Sequence, residues 1–477
     1  MTSPATTRTL RWVLGLASVA SFMVALDTLV VSTALTTIRQ DLGASVEELE
    51  WTVNAYNLTF AVLLLPAAAL GDRLGRRRVF AAGLAGFSLA SAACALAPGV
   101  DALIAARAVQ GAGAAFVMPL ALALVGAAFP PERRGAAMGA MQGLTGLSVA
   151  AGPVIGGAIA QGIDWPWIFW VNVPIGLVAV PLVLARIPES VGARDPLDVR
   201  GLALVTAGAL GLVWGLVRGN DAGWGSPEVL AALGAGALLI AAFVRAELAR
   251  GSRALLPPRL FASRAFAAGN AASFLLVASL FSAVFFFAQF QQSGLGQSPL
   301  QAGVRLLPWT ATLFFVAPVA GKLVDRYGER PFLVAGLSGQ AIGLAWVALI
   351  AKPGLDYATM IAPLMIAGCG VSMAFPAAMN AVTGAVGVGD MGKAAGVNSM
   401  LREMGGVFGI AICVAVFAGA GGYASAQAFV DGFTPALMAS AGLALLGAGI
   451  ALAVPARVST ASAVEPLAVP QTSASTS

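Results

Sequence analysis

Two acidic side chains, Asp27 and Glu403, lie well inside long apolar stretches of this chain, and each has a basic counterpart: Arg107 in the fourth such stretch and Arg402 beside Glu403. A charge at mid-bilayer costs about 2.5–3.5 kcal/mol on insertion scales, so an acid kept there is a functional candidate by default. The chemistry it offers is reversible proton binding. Burial holds a proton on a carboxyl, and a neighbouring guanidinium drives it off. Histidine is absent from the chain, so any proton relay must run through carboxylates. Asp27 and Arg107 fall at similar depths, roughly 9–12 Å from one surface at 1.5 Å per residue, and are expected to face each other across a cavity. Glu403 reads either as a structural partner of Arg402 or as a second proton site.

A charged loop occurs twice. The first copy is Gly71-Asp72-Arg73-Leu74-Gly75-Arg76-Arg77-Arg78, and the second runs from Gly321 through Asp325, Arg326 and Gly328 to Arg330. They lie 253 positions apart (325 − 72 = 253), which makes the chain two related halves. Other chemistry is missing. Cys94, Cys369 and Cys413 all sit in apolar runs without metal-ligand spacing. Gly387 to Lys393 imitates a phosphate loop, but Ala394 stands where magnesium needs Ser or Thr, and no strand precedes it. No metal, cofactor or nucleotide site is expected, and the energy source is expected to be an ion gradient. No nucleophile motif supports a membrane enzyme.

The elements that must position these groups follow from composition. Only 10% of the 477 residues are charged and 58% are hydrophobic, with mean hydropathy +0.86. The apolar runs are about twenty residues long, enough to cross a bilayer as helices. Fourteen spans are predicted: 12–35, 49–70, 79–98, 101–129, 136–162, 166–186, 200–218, 227–246, 265–289, 300–323, 331–351, 357–385, 394–419 and 434–455. On this map 21 of the 27 Lys and Arg residues fall on one side, three (Arg39, Arg218, Lys352) on the other, and three (Arg107, Arg305, Arg402) within spans. The positive-inside rule then puts both termini in the cytoplasm. The net charge of +5 is a topology signal and not a nucleic-acid footprint. The Arg-over-Lys, Ala- and Gly-rich composition points to a bacterial source.

The arrangement resembles the major facilitator superfamily, in its fourteen-helix drug:proton antiporter branch. Four patterns carry the likeness: the duplicated loop; Leu26-Asp27-Thr28 to Leu35; Leu103 to Arg107, Gln110, Gly111 and Gly113; and Ser148 to Gly152, Pro153, Gly156 and Gly157, similar to an antiporter motif. In the first loop Ala68 replaces a usual glycine, and Ser148 replaces another. Trp165 to Asn172, Pro174 and Gly176 looks like the branch's start of helix 6.

The resemblance implies an all-α integral membrane fold. Residues 1–190 would form one six-helix bundle, 191–264 an extra two-helix hairpin with its linker, 265–457 a second bundle, and 458–477 a disordered tail. Asp27 and Arg107 would couple protons; it supplies no role for Glu403. Asp72, Arg73, Gly75, Arg76 and Arg77, with Asp325, Arg326, Gly328 and Arg330, would latch the cytoplasmic side, the Asp meeting a helix N-terminus. Asn54, Gln110, Gln142, Gln289 and Asn380 are candidate cavity residues or helix–helix hydrogen bonds. Phe285, Phe286, Phe287 and Phe290 could meet a hydrophobic substrate or face lipid.

The expected function is proton-driven export of hydrophobic small molecules such as drugs, by a monomer in the cytoplasmic membrane. Its partners would be substrate, protons and lipid. An exporter of lipid or cell-envelope precursors, and a nutrient importer on the same scaffold, stand as alternatives.

Overall fold

The computed structural model describes residues 7–192, 198–251, 254, 258–387 and 390–456. The tail, 458–477, lies outside the described residues, as do the side chains of Gln142 and Asp325. Every regular element among the described residues is helical. In chain order the long helices are α1 (Thr7–Leu42), α2 (Val46–Leu74), α3 (Arg76–Ala95), α4 (Val100–Ala128), α5 (Pro131–Gly162), α6 (Trp167–Arg186), α7 (Val199–Asn220), α8 (Pro227–Arg250), α9 (Arg264–Gly294), α10 (Pro299–Val324), α11 (Glu329–Ile350), α12 (Ala358–Gly384), α13 (Lys393–Ala420) and α14 (Ala426–Ala451). Thirteen of them, all but α5, are long and apolar enough to cross a membrane by length and composition.

The repeat reaches beyond the two loops. Ser45 and Ser298 each open a helix, α2 and α10, with a capping box closed by Glu48 and Gln301. They too are 253 apart (298 − 45 = 253). Gly75 and Gly328 break α2 from α3 and α10 from α11 at φ 109° and 86°, a region that disfavours a side chain. The Asp-Arg-x-Gly order thus encodes a backbone reversal between two helices.

Helices α1–α6 and α9–α14 form two sets that pack mainly within themselves. Small residues let their backbones approach. A Cβ on Gly113 would lie 2.6 Å from the Phe87 backbone, and one on Gly370 2.4 Å from the Gly336 carbonyl. The α7–α8 hairpin packs on itself, and α7 lies across the line where α2 meets α13. There Ala209, Val213 and Val217 cluster with Leu58, Ala61 and Val62 of α2 and Met404, Val407 and Ala411 of α13.

On the side away from the termini the two sets are closely joined. A Cβ on Gly157 of α5 would meet the Pro299 carbonyl at 2.3 Å, and one on Gly303 of α10 the Pro153 carbonyl at 2.1 Å. Gln292, in the π-helical end of α9, donates to the Thr33 carbonyl at 3.0 Å, and the Arg39 guanidinium lies 4.1 Å over the Tyr423 ring.

The first capping box also moves a helix boundary. It starts α2 at Val46, where hydropathy placed the start near 49. Glu50 therefore lies within the helix and is fully buried, which corrects the expectation that Asp27 and Glu403 are the only acids well inside spans.

Candidate functional site

Asp27 and Arg107 meet inside the first helix set. They do not face each other across the cavity as expected. Arg107 Nη1 donates to Asp27 Oδ2 at 2.6 Å, and the residues are 1% (Arg107) and 2% (Asp27) exposed. Gln110 and Asn172 donate to Asp27 Oδ1, each at 2.8 Å. Both amides also reach the Ser91 hydroxyl, which donates to the Phe169 carbonyl. Arg107 is held further by the Gln110 amide oxygen at 2.6 Å and the Thr52 carbonyl at 3.0 Å, with its guanidinium 4.1 Å over the Tyr56 ring. Five helices thus supply one closed network. An ion pair this deep survives because almost every lone pair and N–H around it is answered.

The misplacement has a helical cause. Successive residues turn by about 100°, so Thr28, next to Asp27, lines the central cavity while Asp27 points into the bundle. Thr28 approaches the Tyr56 hydroxyl at 3.4 Å, which leaves a short side-chain path from the cavity to the pair. Thr52, Tyr56 and Ser91 were missed by sequence reasoning. Asn172 was noted only as part of a pattern, although an amide in so apolar a segment was a usable signal.

The central cavity, about 330 Å³, lies between the two sets. Its walls are mainly apolar, with Phe60, Phe281, Trp309 and Phe375 as the aromatic surfaces, and Arg402 and Glu403 as the charged ones. Arg402 Nη2 lies 3.8 Å from Glu403 Oε1, and its guanidinium stacks 5.2 Å over Phe375. None of the described candidate amides lines this space. Gln110 belongs to the Asp27 network, Asn54 donates to Glu50 at 2.8 Å, and Gln289 binds the Phe285 carbonyl and the Tyr423 hydroxyl. Asn380 is half-buried, away from the lining, and the side chain of Gln142 lies outside the described residues. Phe285, Phe286, Phe287 and Phe290 meet neither cavity nor lipid. They are buried in the core of the second set, with Phe290 stacked on Phe433 at 4.3 Å.

The helix-5 glycines act as contact points. A Cβ on Gly152 or Gly156 would strike Leu29 or the Val30 carbonyl of α1, at 2.7 and 2.5 Å, while Gly157 and Pro153 meet α10 across the seam. The first charged loop turns back on its own half, at the start of α3. Asp72 pairs with Arg76 at 2.6 Å, and the backbone amide of Arg77 donates to Glu189 at 2.9 Å. Arg77 also binds the Leu184 and Ile187 carbonyls at the end of α6. Arg73 is exposed. In the second loop Arg326 is exposed and lies over the Tyr327 ring, and Arg330 is half-buried; the side chain of Asp325 lies outside the described residues.

Helices α9, α11 and α14 hold a neutral counterpart of the Asp27 network: Ser279, Ser282, Gln340 and Ser440 bond to one another within 3.3 Å. The buried Asp27–Arg107 ion pair thus has only a neutral counterpart in the other half of the duplicated frame.

A helical membrane protein made of two repeated halves around a central cavity, with a buried ion pair beside it, is a transporter rather than an enzyme. A match to the Major Facilitator Superfamily runs over residues 17–410, and the chain belongs to that superfamily. It is 34% identical over 398 residues, 83% of its length and 73% of the relative's, to the tetracenomycin C resistance and export protein of Streptomyces glaucescens. It is 36% identical over 420 residues, 87% and 85% of the two lengths, to a cephamycin export protein of Amycolatopsis lactamdurans. Its fold matches that of a bacterial homolog of the human lysosomal transporter Spinster in an inward-facing, unoccupied conformation, with TM-score 0.67, 16% identity, and coverage of 95% of this chain and 98% of that one.

Proposed function

We propose that this protein exports hydrophobic small molecules, antibiotics among them, from the bacterial cytoplasm in exchange for protons. The carrying observation is the sealed Asp27–Arg107 pair one residue along α1 from the cavity-lining Thr28. The mainly apolar cavity and relatives named as export proteins for tetracenomycin C and cephamycin support the cargo.

In this reading all fourteen helices cross the membrane, with α7 and α8 as the hairpin of the fourteen-helix antiporter branch. The side carrying the termini, and most of the basic residues, is cytoplasmic. The conformation described is then closed outside, by α5 against α10, with the cavity serving the cytoplasm. Substrate enters it, the halves rock, and access passes to the outside. Asp27 takes a proton outside and gives it up inside, while Arg107 replaces that proton as its partner. One charge moved through 100 mV supplies about 2.3 kcal/mol, and at about 1.4 kcal/mol per tenfold this sustains a gradient of roughly forty-fold. No cofactor is needed beyond the proton gradient, and one chain holds the whole network and cavity, so a monomer suffices.

Efflux of a fluorescent dye from proteoliposomes with an imposed pH gradient tests the reading. Wild type exports and Asp27→Asn does not; undiminished efflux by the variant would sink the assignment.

A further inference from the structure

Glu50 is fully buried in α2. Asn54 donates to its Oε1 at 2.8 Å, while Oε2 has no hydrogen-bond partner. The amide oxygen of Asn54 and both polar atoms of Asn57 are likewise buried without partners. Positions 50, 54 and 57 share one face of a helix, since four and seven residues bring the chain back to nearly the same direction. Thr52 and Tyr56, which hold Arg107, point the opposite way. The body of α2 therefore separates Glu50 from the Asp27 network.

The Glu50 face also carries Ala61, three turns on, which clusters with Met404, Val407 and Ala411 of α13 and with Val213 and Val217 of α7. Glu50 thus sits toward the outer end of the seam between the two halves, and α7 covers that seam. The charged and titratable groups around it are committed elsewhere. Glu47 on α2 is paired with Arg218 of α7 at 3.3 Å, and Arg218 also reaches Glu228 at 3.8 Å. Arg107 of α4 is given to Asp27 of α1, Cys94 of α3 bonds toward Gln110, and α13 presents the buried thiol of Cys413. Among the described residues no cation pairs with Glu50.

We propose that Glu50 is a second proton-binding carboxyl, which takes up a proton from the outer water when the outer seam between α2 and α13 closes and returns it there when the seam opens. An ionised carboxylate with one amide donor and no cation is disfavoured in an apolar seam. The protonated acid turns the unpartnered oxygen into a donor, and the idle oxygen of Asn54, one turn along the same face, is an acceptor for it. Because α2 stands between this group and the central network, the Glu50 proton does not travel with that of Asp27. It sets how strongly external pH favours the outward-closed state. The role rests on alternating-access export, as proposed for the whole protein.

Infrared spectroscopy of the full-length protein in lipid nanodiscs at neutral pH reads the proton directly, with 13C-labelled glutamate marking glutamyl carboxyls. Wild type should show a glutamic-acid carbonyl band that Glu50→Gln loses and Asp27→Asn keeps. Glu50→Asp should lose the glutamyl band and gain an unlabelled one, which holds the test open if the Gln variant misfolds. An acid-carbonyl region unchanged by Glu50→Gln overturns the proposal. In transport, Glu50→Gln should keep exporting with a flattened dependence on external pH; an unchanged dependence also overturns it. Undiminished export by Asp27→Asn would instead defeat the proton-export reading while leaving the Glu50 band in place, so the two failures are told apart.

Discussion

Arg107 donates to Asp27 across 2.6 Å with both side chains about 1% exposed, and Thr52, Gln110 and Asn172 fix the two groups in place. Neither residue can change alone without stranding the other. Asp27→Asn keeps the shape and leaves a buried guanidinium unpaired, at a cost of about 3–5 kcal/mol. The double variant Asp27→Asn with Arg107→Gln should recover most of that stability in thermal unfolding while export stays absent. Arg107→Lys should fail as well, because a point charge cannot bind Asp27 and the Thr52 carbonyl while stacking on Tyr56.

Gly157 has no room for a side chain while the seam between α5 and α10 is closed, since its Cβ would sit 2.3 Å from the Pro299 carbonyl. Gly157→Leu should open that seam. Overpacking of this kind costs about 1–3 kcal/mol, or roughly a 5- to 150-fold shift in the balance of states. The rate at which a membrane-impermeant maleimide labels Gln161→Cys at the C-terminal end of α5 should rise by that order, and export should fall with it.

Glu403 is the acid among the described cavity-lining residues, and Arg402, at 3.8 Å, is divided between it and the Phe375 ring. A carboxylate beside the cargo favours cations. Glu403→Gln should weaken export of cationic dyes about tenfold while neutral cargo changes little, given the size of charge–charge terms at a partly solvated site. Competition assays with matched charged and neutral substrates check this.

Asp198 caps α7 outside the apolar span, accepting from the Gly201 amide at 2.7 Å and pairing with Arg250. Its burial works to raise the carboxyl, but the Gly201 amide and Arg250 outweigh it and hold the group below the ordinary carboxylate value. A depressed value stabilises the fold above the unfolded group's pKa of about 4, and the benefit fades as pH falls through the folded value. Asp198→Ala should cost about 1 kcal/mol at neutral pH as a lost helix cap. The gap between variant and wild-type melting temperatures should narrow toward pH 3.

Much of the molecule was legible in the residue order. Apolar runs separated by charged turns fix where helices begin and end, because a bilayer-length helix needs about twenty apolar residues. The paired Asp-Arg-x-Gly turns, with Gly75 and Gly328 at positive φ, announce the repeat, because only a residue without Cβ adopts that reversal freely. The rarity of charge in spans singled out Asp27, Arg107 and Glu403. Glu50 escaped because hydropathy sees a charged residue near the end of a run as flanking sequence, whereas the Ser45–Glu48 capping box starts the helix a turn earlier.

Sequence alone therefore determined the helical membrane class, the duplication and the acids worth attention. Only the tertiary structure decided which way each points. Rotation about a helix by one residue separates the buried Asp27 from the cavity-facing Thr28, and hydropathy is blind to that rotation when both faces are covered by protein. It likewise took packing between halves to make Gly157 a seam contact and Glu50 an unpaired acid, since both depend on neighbours more than a hundred residues away along the chain.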